Sequence, residues 1–227
     1  MAQQHAQQQK KELVEALLDR YGHHSLAEEA EIRLKNQPHT MFQLLQLAAL
    51  TDARVAPETA VRTLMTLRGR NWSTAGKVRQ AGTAEIAKVL ADAGYREGDR
   101  KRISTAMTDA ALHLLEDHGG DLGELREDAE KDPQRERQLL RHFANVDDGV
   151  VDAFFREAQL LWQELSPFAD KKALDAADRL DLGHDPDSLR ALVDDDRRFV
   201  RLIDALVRIR HDDRGYQKVR ELAGRQS

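Results

Sequence analysis

Three stretches of this chain combine residue types and spacings that could do chemistry. Asp170 follows Ser166-Pro167-Phe168-Ala169 and opens the run Lys171-Lys172-Ala173-Leu174. A carboxylate at a helix start can accept hydrogen bonds from the free N–H groups there. In a cleft it can instead stabilise an oxocarbenium-like sugar cation or position a water. One position can serve both ends. A second stretch sets Arg96, Arg100, Lys101 and Arg102, four cations within seven residues, where a helix should begin. Such a cluster can meet phosphates as charges and through backbone N–H groups, or it can be a solvated helix entry balanced by Glu97 and Asp99. The third stretch is Leu140-Arg141-His142-Phe143-Ala144-Asn145-Val146-Asp147-Asp148-Gly149, a short connection in which Asn145 tolerates the left-handed conformation.

Other constellations carry less. Trp72, beside Arg68 and Arg70, could stack on a base. The nine histidines are scattered, and His23-His24 is adjacent rather than helically spaced, so no metal site is expected. Asp194-Asp195-Asp196 and His211-Asp212-Asp213 lack the glycine turn and terminal glutamate of a calcium loop. No Walker loop, GxGxxG or GxSxG is present. The absence of cysteine excludes disulfides, thiolate zinc sites, thiol nucleophiles and cysteine-ligated iron–sulfur clusters. No cofactor is expected.

The elements that must position these residues read as helices. Of 227 residues, 41% are apolar and 33% charged, with few aromatics, which suits one substantial domain or two small ones. Apolar residues recur at helical spacing in Lys11–Tyr21, Met41–Leu50, Pro57–Leu67, Arg102–His118, Val150–Leu165 and Arg197–Ile209. Thr83 caps a segment that Gly94 ends, Asp132-Pro133 opens another helix, and Asp170–Leu182 stops at Gly183. Nothing alternates with period two. The expectation is an all-α, two-layer fold. Residues 1–9 and the tail from 212 to 227 read as polar and flexible. No stretch is apolar enough to span a bilayer, the N-terminus lacks the order of a signal peptide, and a cytoplasmic location follows as the default.

Three joints between these helices resemble the endonuclease III branch of the helix-hairpin-helix DNA glycosylases, over roughly residues 41–183. The first is Gly94-Tyr95 followed by Lys101 and Ile103, where the family approaches the DNA backbone. The second is the 140–149 stretch, at the family's Leu-Pro-Gly-Val-Gly hairpin: Ala144 replaces the proline, Asn145 and Asp147 the glycines, and Val146 keeps its place. The third is Pro167, Asp170, Arg179-Leu180 and Gly183, in which Asp170 falls on the family's catalytic aspartate. The resemblance implies a helix-hairpin-helix element and an interdomain cleft, a helical barrel over 38–164, and a second helical domain from 10–37 plus 165–211.

It also implies a partner, damaged duplex DNA, held by Tyr95, Arg100, Lys101, Arg102, Asn145, Val146, Gly149 and Lys172, with Asp170 as the catalytic group of a monomer. The departures are specific. Gly149 stands where bifunctional members carry the lysine that attacks the sugar, so no Schiff base and no β-lyase step is expected. Asp147 and Asp148 put negative charge where a phosphate should sit, the family's glutamine is missing near Leu50-Thr51-Asp52, and the cluster cysteines are absent. The net charge of −5 also opposes phosphate binding. Two readings follow: a DNA-binding, base-excision-repair-type protein, a monofunctional DNA N-glycosylase or a degenerate relative; or a non-catalytic DNA- or protein-binding module on the same scaffold.

Overall fold

Alanine, leucine, arginine and glutamate lose little side-chain freedom in a helix. Over residues 2–224, those the computed structural model describes, the chain is helical with no strand. In chain order the helices are α1 (Ala2–Tyr21), α2 (Leu26–Glu29), α3 (Pro38–Thr51), α4 (Pro57–Gly69), α5 (Ala75–Asp92), α6 (Glu97–Asp117) and α7 (Leu122–Asp128). They continue with α8 (Pro133–Leu140), α9 (Asp148–Ala158), α10 (Lys171–Arg179), α11 (Pro186–Arg190), α12 (Asp196–Arg208) and α13 (Gly215–Ala223).

Local chemistry sets the boundaries. Asp121, Asp132, Asp147, Asp170, Asp185 and Asp195 each accept a backbone N–H of the helix that follows, and proline opens α3, α4, α8 and α11, where no N–H is needed. Gly82, at φ 77° and ψ 163°, breaks α5 internally, one residue before the Thr83 cap read from the sequence. An L side chain rarely adopts that conformation.

The chain forms two units, residues 27–165 and the two chain ends, up to 26 and from 166. In the first, α3 is buried from Thr40 to Leu50 on every side, the mark of a central helix. It packs on α9, α4, α6 and α7. Val150, Val151, Phe154 and Phe155 of α9 supply much of the core, and Trp162 meets the Phe154 ring edge-on at 5.4 Å. In the second unit α12 packs on α1 and α10, around Val14, Leu17, Phe199, Leu202, Ile203 and Leu206.

The structure differs from the sequence reading in three places. The apolar run 150–165 is not one helix: α9 ends at Ala158, and a turn leads to a short 3₁₀ segment, Gln163–Leu165. Both terminal stretches are helical within the described residues. The glutamine-rich start belongs to α1, and α13 packs on it by burying Val219 and Ala223; residues 1 and 225–227 lie outside the described part. Finally, residues 27–37 belong with the 27–165 unit, where Asn36 Oδ1 accepts from Trp162 Nε1 at 3.4 Å.

Candidate functional site

The connection from α8 to α9 occupies residues 141–147. Asn145 has φ 60°, the left-handed turn that glycine adopts most cheaply and asparagine tolerates. Val146 is buried and its N–H bonds back to the Phe143 carbonyl at 3.1 Å. Phe143 is buried as well, its ring parallel to that of His113 on α6 with centroids 6.2 Å apart.

Two of the backbone donors around this connection are engaged by the protein's own acids. Asp147 Oδ1 accepts from Val150 N–H at 3.1 Å and so caps α9. Asp109, on α6, accepts from Ala144 N–H. The helix N-terminus, with its partial positive charge, thus already holds a carboxylate. Nearby cations are taken up in the same way: Arg137 pairs with Asp148 at 3.2 Å and Asp152 at 2.6 Å, and Arg141 pairs with Asp148 at 3.3 Å.

Gly149, in the first turn of α9, faces Asp52, just past the end of α3. A Cβ at this position would lie 2.4 Å from Asp52 Oδ1, closer than real Cβ atoms come to a neighbour, and a tight 3.2 Å from Asp147 Oδ1. A carboxylate therefore borders the first turn of α9 at this glycine. Asp52 is in turn tied to α6: Arg102 donates to its Oδ2 at 3.2 Å and to its carbonyl at 2.8 Å, and also faces Asp99 at 3.7 Å.

The residues expected to hold a strand therefore fall into different environments. Tyr95 is buried, with its hydroxyl donating to the Leu50 carbonyl at 3.3 Å; burial first, and Asp99 as well, push its phenol up to about 12 although a hydrogen bond with Thr63 works the other way. Arg102 is committed to Asp52. Arg100 is half-buried, and its Nε has no hydrogen-bond partner. Lys101 is exposed and forms no ion pair among the described residues. Of the basic cluster, Lys101 and the exposed Arg96 are the side chains most open to an incoming anion.

Asp170 belongs to the other unit. It is 4% exposed, and Oδ1 accepts from Ala173 N–H at 2.8 Å, which caps α10. The two lysines after it are exposed, and Lys171 bonds Asp175 at 2.9 Å while Lys172 is engaged elsewhere. The helix-cap role open to Asp170 in the sequence is thus realised.

Two groups central to this geometry gave little sign in the sequence. Asp109 lies in the middle of a long amphipathic helix and reaches Ala144 only through folding. Asp52 meets Gly149 and Arg102 only through packing of α3, α6 and α9. Trp72 is partly buried, with Arg70 Cζ 5.4 Å from its ring centroid. Among the described residues no three His, Asp or Glu side chains gather as metal ligands, and no helix is long and apolar enough to cross a membrane. Compared with protein-family models, with curated proteins and with solved structures, the chain matches none.

Proposed function

We propose that this chain is a DNA-binding protein of the base-excision-repair type, a degenerate relative of the monofunctional helix-hairpin-helix DNA glycosylases that has no β-lyase step. The observation that carries this reading is the α8–turn–α9 element, in which Asn145 at φ 60° supplies the left-handed residue of a hairpin lacking the family's glycines. Lyase chemistry needs an amine at a fixed place; Gly149 has none, and Asp52 fills the space beside it. Asp170 opens a helix, as the family's aspartate does, but its carboxylate is buried as the α10 cap, so it would act on a sugar cation only with that cap opened.

Duplexes carrying uracil, an alkylated base, an oxidised base or an abasic site, each beside an undamaged control, test the reading by anisotropy and by alkali cleavage after incubation. The expected result is lesion-selective, salt-dependent binding and no strand nick before alkali, with any excision lost in Asp170→Asn. Equal affinity for damaged and undamaged duplexes across a salt titration overturns it.

One observation favours a second reading, a non-catalytic module whose partner is a protein. Asp147 and Asp109 occupy hairpin amides that a phosphate would use, and Asp148 draws Arg137 and Arg141 away from solvent anions. In that case the same titration finds no duplex affinity even at low salt.

A further inference from the structure

The least expected charge in residues 27–165 is Glu136. It shares the buried face of α8 with Leu140, one turn on. It is 0% exposed, and neither carboxyl oxygen meets a donor among the described residues. Burying an unpaired carboxylate is so costly that such groups neutralise themselves instead. Its neighbour is another acid. Glu164, in the 3₁₀ segment, forks onto Arg126 of α7, accepting from Nε and, at 2.6 Å, from Nη2, and it lies within hydrogen-bonding reach of Glu136. Arg126 Cζ is 5.4 Å from the ring centroid of buried Trp162.

Two carboxyl groups thus face one guanidinium. With one proton between them the cluster is neutral; without it, a net negative charge is sealed inside. The packed elements carry further charges. On α7 these are Glu124 and Asp128, the latter paired with His118. On α9 they are the buried Glu157, which accepts from Ala27 N–H, and the buried Arg156, whose Nε has no hydrogen-bond partner among the described residues. On α7, Glu127 pairs with Lys131. Asp132, at the start of α8, caps Gln134 and Arg135. On α9, Asp148 and Asp152 pair with Arg137 and Arg141. Burial first, then Glu164, pushes the Glu136 carboxyl up to about 8, and Arg126 only partly offsets this. For Glu164, burial opposes ionisation, but the Arg126 fork outweighs it and holds that carboxyl below its usual range.

We propose that Glu136 and Glu164 share a single proton that latches α8 in its seat, so that losing this proton to solvent loosens α8 and the 141–147 turn that hangs from it. Unseated, Glu136 is solvated and titrates near the ordinary value of about 4.3; seated, it holds its proton to much higher pH. Between those limits each unseating event releases one proton, so the seated state weakens about tenfold per pH unit and levels off once the seated acid itself ionises. The latch does not depend on what the turn binds.

Amide hydrogen exchange from pH 5.5 to 9.5, normalised for the intrinsic rate, tests it on the full chain and on Glu136→Gln, a neutral isostere able to donate to Glu164. The expected result in the native protein is a fall in protection of α8 and residues 141–147 of about tenfold per pH unit, flattening near pH 8, while α3 and α5 stay level. Protection in E136Q is independent of pH. In a Trp72→Phe background, Trp162 emission changes around the same pH and does so only when Glu136 is present. A second variant, Glu164→Gln, leaves Arg126 to Glu136 alone and moves the flattening to lower pH. Level protection of α8 in the native protein, an unchanged slope in E136Q, or an equal fall in every helix each overturns the latch; if E136Q does not fold, the native and E164Q profiles decide.

Discussion

Asp52 Oδ1 stands 2.4 Å from the place a Cβ would take on Gly149. The glycine is therefore required by a close approach between the end of α3 and the first turn of α9, not by backbone freedom. The same carboxylate receives Arg102 from α6, so three helices meet at this one acid. The contact is a structural joint between α3, α6 and α9.

Gly149→Ala should therefore destabilise the protein by about 1–3 kcal/mol, the usual cost of overpacking a site that cannot easily yield. Asp52→Ala should also destabilise, since Arg102 loses its nearer carboxylate and keeps only the residue 52 carbonyl and Asp99. The double variant should lose less than the sum of the two, because removing Asp52 vacates the space the new methyl needs. Urea denaturation of the four proteins measures the coupling. Strict additivity would mean that Asp52 moves aside freely. Gly149→Lys should gain no strand-cleaving activity, because its side chain would enter beside Asp52 and Asp147.

The acids of the turn lead to opposite effects on stability and binding. Asp147→Asn keeps an oxygen for the Val150 amide and should change stability by only a few tenths of a kcal/mol, since asparagine caps as well as aspartate. Asp147→Ala should cost about 0.5–2 kcal/mol. With Asp148→Asn added to Asp147→Asn, removal of two negative charges should raise affinity for a short duplex at low salt by about thirtyfold, on the order of 1 kcal/mol per charge at close range in water. Anisotropy titrations at two salt concentrations check this, and unchanged affinity would show that the strand does not approach the turn.

How much of this was legible follows a physical line. Interactions within one turn of helix left clear marks: Asp132-Pro133 and Asp170 three residues before Ala173 were readable, because caps act over two or three residues; the break expected at Thr83 is made by Gly82, while the Thr83 hydroxyl meets Thr108. The all-helical class was equally readable from the spacing of Leu64 with Val61 or of Phe199 with Leu202 and Ile203. Contacts between distant helices left none. Nothing around Asp109 announces its bond to Ala144, and Asp52 meets Gly149 only because α3 and α9 pack. Glu136 did leave a trace, being four residues from buried Leu140 on the same face, but an acid among arginines reads as surface. The end of α9 at Ala158 is not legible in the sequence because Leu160, Leu161 and Trp162 continue the apolar pattern while the backbone turns; apolar spacing reports burial, not helix. The α13 segment is not legible in the sequence because its buried residues, Val219 and Ala223 among them, are few and its charges many.

Asn145 offers a check on the turn itself. At φ 60° a β-branched side chain is strained, so Asn145→Val should cost about 1–2 kcal/mol, whereas Asn145→Gly should be close to neutral. A Val variant as stable as the native chain would argue that the 141–147 turn is not held in this conformation in solution.

The chain ends carry a separate pH response. Asp212 accepts from the Tyr21 hydroxyl of α1 at 2.7 Å and from Lys218 of α13 at 3.0 Å, and its other oxygen accepts from Arg214 N–H. Tyr21 first, then Lys218 and the backbone, hold its carboxyl well below the usual range. The folded value is thus depressed, and the stabilisation it gives is fully present above the unfolded value of about 3.9 and is lost as pH falls below it toward the folded value. Asp212→Asn should remove that slope: its melting temperature should trail the native protein's at pH 6, and the gap should narrow as pH drops from about 4 toward 2. The measurement is a thermal melt at half-unit intervals, read with α13 in mind, since Lys218 and Tyr21 lose their common partner together. A gap that stays constant across this range would mean that the Asp212 charge contributes nothing and that only its shape is used.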